Sequence, residues 1–120
     1  MRKSARSVFV FSIYLFALGA ILVVAPGILI RLFKFPEPDY LWIRIVGMLV
    51  ILLGFYYSHA ALADLRAFFG WTVIARSAVL LFFITFVLVG LAPPVLVLFG
   101  LVDFAAALWT FFALRSEART

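Results

Sequence analysis

The strongest constraint on this chain is the spacing of its charges, which leaves four long apolar runs almost untouched. Ser7 to Ile30 carries no charged residue; Tyr40 to Ser58 contains only Arg44, Phe69 to Leu91 only Arg76, and Val95 to Leu114 only Asp103. A helix that crosses a bilayer needs about 20 predominantly apolar residues, so each run is long enough to span. In 120 residues there is room for four spans and little besides. The expected fold class is all-α: a polytopic membrane protein, a bundle of four transmembrane helices that forms a single membrane domain over residues 1–120.

Composition agrees with that reading and excludes others. The chain is 68% hydrophobic and 12% charged, with a mean hydropathy of +1.29, against roughly 45–50% and 25% in an average soluble domain. A net charge of +5 raises the question of nucleic acid, but the basic residues are scattered singly or gathered at the two ends, and no basic-aromatic groove can be assembled from them. The absence of cysteine removes disulfides, thiolate metal sites and cysteine nucleophiles together.

The connections set the topology. Pro26 and Gly27 interrupt the first run, and residues 28–35 (ILIRLFKF) place Arg31 and Lys34 among apolar side chains, a pattern suited to a short interfacial helix. The PEPD stretch, Pro36 to Asp39, makes a turn, residues 59–67 (HAALADLRA) form a polar link, and Ala92-Pro93-Pro94 makes a tight turn. Four spans bring both termini to one side, with Arg2, Lys3, Arg6, Arg66, Arg115 and Arg119, against Arg31 and Lys34 on the other. The positive-inside rule places that side in the cytoplasm, and a bacterial inner membrane is expected. Tyr40 and Trp42 at one boundary, and Tyr56, Tyr57 and Trp71 at the other, suit aromatic belts. The competing reading of Met1 to Ala20 as a cleavable signal peptide is disfavoured because the apolar run continues past Ala17-Leu18-Gly19 without changing character.

Each span offers a stripe of small residues, which lets helix backbones approach closely where lipid supplies no hydrophobic drive. In the second span Arg44, Gly47, Ile51, Gly54 and Ser58 descend one face; in the fourth, Gly100, Ala106, Ala107 and Thr110 share a face with Asp103. The first has Ser12, Gly19 and Pro26 seven apart, and the third Arg76, Phe83 and Gly90. Gly47, Gly54, Gly100 and Ala107 are therefore the expected packing residues. Asp103 then lies on an inward face, where a carboxylate needs a partner. At 1.5 Å per residue, Arg44 stands roughly 7 Å nearer the same membrane surface, within an arginine's reach. The expected pair is Asp103 with Arg44, with Arg76 or a second copy of the chain as alternatives. An ionisable residue at this depth marks either a functional site or a pair that sets helix packing.

Other chemistry is sparse. His59, the single histidine, is a weak candidate beside Tyr56, Tyr57 and Asp64; alone and without cysteine it gives no basis for zinc or haem ligation, so no metal or cofactor is expected. No serine or threonine has an acid-base partner at a recognisable spacing. Among the 15 phenylalanines, Phe82, Phe83, Phe86, Phe99, Phe104, Phe111 and Phe112 could line a cavity for a flat apolar ligand, although packing and lipid-facing bulk is the simpler reading.

With the run RIVGMLVILLGFYY at Arg44 to Tyr57, an arginine early in the third span and an acid in the fourth, the whole chain resembles the small bacterial membrane proteins grouped as DoxX-like or of unknown function. That resemblance implies a four-helix bundle and little established chemistry. Small multidrug-resistance exporters are similar in size and span count, but their essential glutamate in the first span has no counterpart between Ser7 and Ile30. The function expected is non-enzymatic: binding of a hydrophobic small molecule, lipid or quinone-like, or of a membrane-protein partner or further copies of the chain. The alternative is a small oligomeric transporter or channel with Asp103 as its coupling residue.

Overall fold

The computed structural model describes residues 1–35 and 40–118; the PEPD turn and Arg119 lie outside the described residues. The described chain is all-α, with five helices: α1 (Lys3–Val24), α2 (Pro26–Leu32), α3 (Tyr40–Leu62), α4 (Arg66–Leu88) and α5 (Leu96–Ala118). The four longer ones are each long and apolar enough to cross a membrane. In none of them is more than 33% of the spanning window buried. Most of their large apolar side chains therefore point outward, an arrangement that water would penalise and lipid favours. This is an integral membrane protein.

Helix ends follow from local chemistry. Pro26 has no N–H to continue the ladder of α1, so the helix stops at Val24 and Pro26 opens α2 as its N1 residue. The short helix thus covers residues 26–32 rather than 28–35. Helix α4 ends at Leu88, and Gly90 takes a left-handed φ of +83° while the amides of Gly90 and Leu91 return to the carbonyls of Val87 and Phe86, a Schellman end. Gly90 therefore terminates its helix and belongs to no packing stripe; a Cβ there would meet nothing within 4 Å. The same pair of bonds closes α3 at Asp64, and the outer bond, from the Phe35 amide to the Ile30 carbonyl, closes α2 at Lys34, with these non-glycine residues at φ 53° and 56°. After Pro93 and Pro94 the first turn of α5 is nucleated by bonds from Leu96 and Val97 to the two proline carbonyls.

The chain forms two compact units, residues 1–8 with 60–120, and residues 9–59. In the second, α1 and α3 meet along a glycine seam. A Cβ at Gly19 would lie 2.5 Å from Ile51 Cγ1 and 2.8 Å from the Gly47 carbonyl oxygen; one at Gly47 would lie 2.8 Å from Leu22 Cβ. Farther along, Gly54 faces the Ser12 carbonyl and Leu15. The helix backbones are close enough here that hydrogen is the only substituent with room. In the first unit α4 and α5 pack against each other: Gly100 faces Leu80 and Phe83, and Ala107 is fully buried. The opening turns of α1 complete that unit, burying Ser4, Ala5, Ser7 and Val8.

Candidate functional site

Two polar constructions stand out, one in each unit. In residues 1–8 with 60–120, Arg76 is 2% exposed, and two of its guanidinium nitrogens donate to neutral oxygens. Its Nε donates to the Thr72 carbonyl at 3.2 Å, and its Nη2 donates to the hydroxyls of Thr72 and Thr110, each at 2.9 Å. Thr72 spends its own proton on the Phe69 carbonyl. Ser7 donates to the Ser4 carbonyl at 2.7 Å, so in its 2.7 Å contact with Thr110 the threonine must be the donor. Each hydroxyl donates once and accepts once.

This network is a fixed scaffold for a cation. Its hydroxyl protons end on the carbonyls of Ser4 and Phe69, and the arginine keeps its charge. Asp103 is half-buried on α5, in the same unit as Arg76. Arg44 belongs to the other unit.

At the end of the same unit, Glu117 caps α1 from the opposite end of the chain. The Ser4 amide donates to its Oε1 at 3.0 Å and the Ser4 hydroxyl to its Oε2 at 2.7 Å, satisfying one of the amides that a helix N-terminus leaves open and placing negative charge at the positive dipole end. Arg66 stands 3.3 Å from Oε2, and Arg2 pairs with Asp64 at 3.2 Å. Glu117 lies beyond the apolar run that ends at Leu114. Burial pushes its carboxyl up, but the two Ser4 bonds and then the charges of Arg66 and Arg2 outweigh that and hold it below the usual glutamate range.

The second construction lies in residues 9–59. Arg44 Nε donates to the Val23 carbonyl at 3.1 Å, supplying a donor and a positive charge to the last turn of α1, where Pro26 ends the ladder. A shallow, widely open groove of about 400 Å³ is lined by Val23, Arg44, Ile45, Met48, Ile51 and Leu52, and its lining is almost wholly apolar. Arg31 Nε donates to the Gly27 carbonyl at 3.1 Å, and a Cβ at Gly27 would lie 3.6 Å from Arg31 Nη2 and 3.8 Å from Tyr40 Oη. Arg31 and Tyr40 thus stand beside Gly27 at the corner between α1 and α2, and Arg44, which lines the apolar slot, stands at the Val23 carbonyl one turn earlier.

His59 is exposed; its Nδ1 lies 3.0 Å from the Phe55 carbonyl and its ring packs on Phe55 at 4.2 Å between centroids. A carbonyl only accepts, so Nδ1 carries the proton. Of the phenylalanines grouped above, Phe82, Phe86, Phe111 and Phe112 are exposed, while Phe83 packs at Gly100. Ser4, Ser7, Thr72 and Glu117 join the site without belonging to any recognisable motif. The spacing of Ser4 and Ser7, and of Thr72 and Arg76, puts each pair on one helix face, a signal that was available; the partnership with Glu117, 113 residues away, was not.

No protein-family model matches the chain, and neither a curated protein nor a solved structure matches it.

Proposed function

We propose that the protein is a non-enzymatic integral membrane protein that binds a hydrophobic, lipid-like molecule in the groove between α1 and α3. The observation that carries this reading is the groove itself, six residues that present an almost wholly apolar floor, with Arg44 contributing its aliphatic stem, a lining suited to an apolar chain. A cytoplasmic location for both termini, in a bacterial inner membrane, is part of the proposal and rests on Arg2, Lys3, Arg6, Arg66 and Arg115 near the ends of the chain and of α4.

The test is photolabelling in lipid nanodiscs with an uncharged long-chain alcohol that carries a diazirine near its terminus. The expected result is adducts concentrated on Val23, Met48 and Leu52. Adducts spread evenly over other exposed apolar residues, such as Leu81, Phe82 and Leu98, would show only the lipid annulus and defeat the reading.

The partner of Asp103 stays a proposal, with Arg44 as the candidate that sequence spacing favours and Arg76, which shares its unit, as the alternative.

A further inference from the structure

We infer that the occupant of the α1–α3 groove is a single anionic phospholipid, its phosphate held at the corner formed by Arg44, Arg31 and Tyr40 and one acyl chain laid along Ile45, Met48 and Leu52. The inference rests on the proposed lipid-binding reading and specifies its ligand.

Charge complementarity is the first argument. Among the described residues, each of the two arginines is hydrogen-bonded through Nε to a backbone carbonyl, Arg44 to Val23 and Arg31 to Gly27. Anchoring through Nε fixes the plane of a guanidinium and leaves its Nη edge as the donor pair, the geometry that matches a phosphate. Both side chains are exposed, and Tyr40 adds a hydroxyl beside Arg31. At the membrane boundary, two oriented guanidiniums favour a ligand that brings its own negative charge. A neutral zwitterionic lipid also has a phosphate, but its ammonium opposes the same cations.

Dimensions are the second argument. From Arg44 to Leu52 the groove follows α3 for roughly 12 Å, taking 1.5 Å per residue. Half of the hydrocarbon core is roughly 15 Å. The slot therefore runs through most of one leaflet and ends near the midplane, so it fits the chain of a lipid that stays in its leaflet. Tyr40 lies one helical turn above Arg44, roughly 6 Å nearer the surface, which brackets the level of a phosphate. The seam sets the floor: Gly19 and Gly47 draw the backbones together beside the slot, and Pro26 ends α1 at its upper end.

The experiment is native mass spectrometry of the protein exchanged from nanodiscs of equimolar phosphatidylglycerol and phosphatidylcholine, with inorganic phosphate added in a separate arm. The expected result is one retained phosphatidylglycerol per chain at a several-fold excess over phosphatidylcholine, with no adduct from free phosphate. Arg44→Gln keeps an N–H able to reach the Val23 carbonyl but removes the charge, and together with Arg31→Gln it should abolish the preference. Met48→Trp should fill the slot and lower retention of the lipid while leaving both arginines in place. Circular dichroism melting of each variant separates lost binding from lost fold, and if the double glutamine variant fails to fold, Met48→Trp decides.

Retention of both lipids equally, with the uncharged diazirine alcohol still labelling Met48 and Leu52, would overturn the anionic ligand and leave the groove reading intact. No retained lipid and no focused labelling would overturn both. Retention unaffected by Met48→Trp and by the glutamine variants would mean annular lipid only, and phosphate binding without lipid would mean an anion site in place of a lipid site; either overturns the inference.

Discussion

Arg44 and Val23 are joined across the α1–α3 seam by a hydrogen bond of 3.1 Å from the guanidinium Nε to the backbone carbonyl. A residue that sequence spacing assigned to an acid therefore also serves as the C-terminal cap of a neighbouring helix. The reason lies at Pro26, which ends the helix and withholds a donor from its last turn, while the charge of Arg44 complements the negative end of the α1 dipole. Capping engages Nε, while the aliphatic stem of the same side chain lines the groove. Structural and binding roles thus share one side chain, which is why the lipid test above uses glutamine in place of an aliphatic residue.

The glycine seam predicts opposite outcomes for one substitution at two sites. Gly19→Ala places a methyl 2.5 Å from Ile51 and 2.8 Å from the Gly47 carbonyl, so the helices must separate; overpacking of this kind costs about 1–3 kcal/mol. That outweighs the gain in helix propensity of about 1 kcal/mol. Gly70→Ala in α4 meets nothing within 4 Å and should stabilise by up to about 1 kcal/mol. Thermal melts of the two variants in one detergent should shift in opposite directions. A stabilised Gly19→Ala would show that the seam is looser than described.

Thr110 links two helices to α1 through a single oxygen. Thr110→Val keeps the shape but removes the acceptor for Arg76 and the donor to Ser7; withdrawing a buried partner from a charged donor costs about 1–3 kcal/mol. Thr110→Ser retains the hydroxyl and should lose less than half as much. Urea or mixed-micelle unfolding of the three proteins checks this, and equal destabilisation by valine and serine would assign the effect to the methyl contact instead.

Glu117 makes stability depend on acidity. Its carboxyl is held below the usual glutamate range in the folded protein, so its contribution is fully present above the unfolded value. It is lost as the pH falls through the folded value. Melting temperature should therefore drop on acidification from the ordinary glutamate range downward, and the Glu117→Gln variant should show a smaller drop in the same window. At neutral pH that variant should lose about 1 kcal/mol, the size of a helix N-cap. A wild type and a variant with parallel acid profiles would remove Glu117 from this role.

What the chain determines by itself is its four spans, their breaks and the small-residue faces, because all three are local. The bilayer sets the length of an apolar run, proline breaks a helix through its own missing N–H, and Gly19, Gly47 and Gly54 recur at helical spacing within their own segments. Gly90 shows where such reasoning stops. It keeps the seven-residue spacing of Arg76 and Phe83, yet its positive φ ends the helix before it can pack. Tertiary structure alone decided the polar partners. Ser4 and Glu117 are 113 residues apart, Arg44 donates to a carbonyl of a neighbouring helix, and Arg76 is met by two threonine hydroxyls on different helices. A long polar side chain can reach several donors or acceptors, and only the meeting of particular helix faces selects among them.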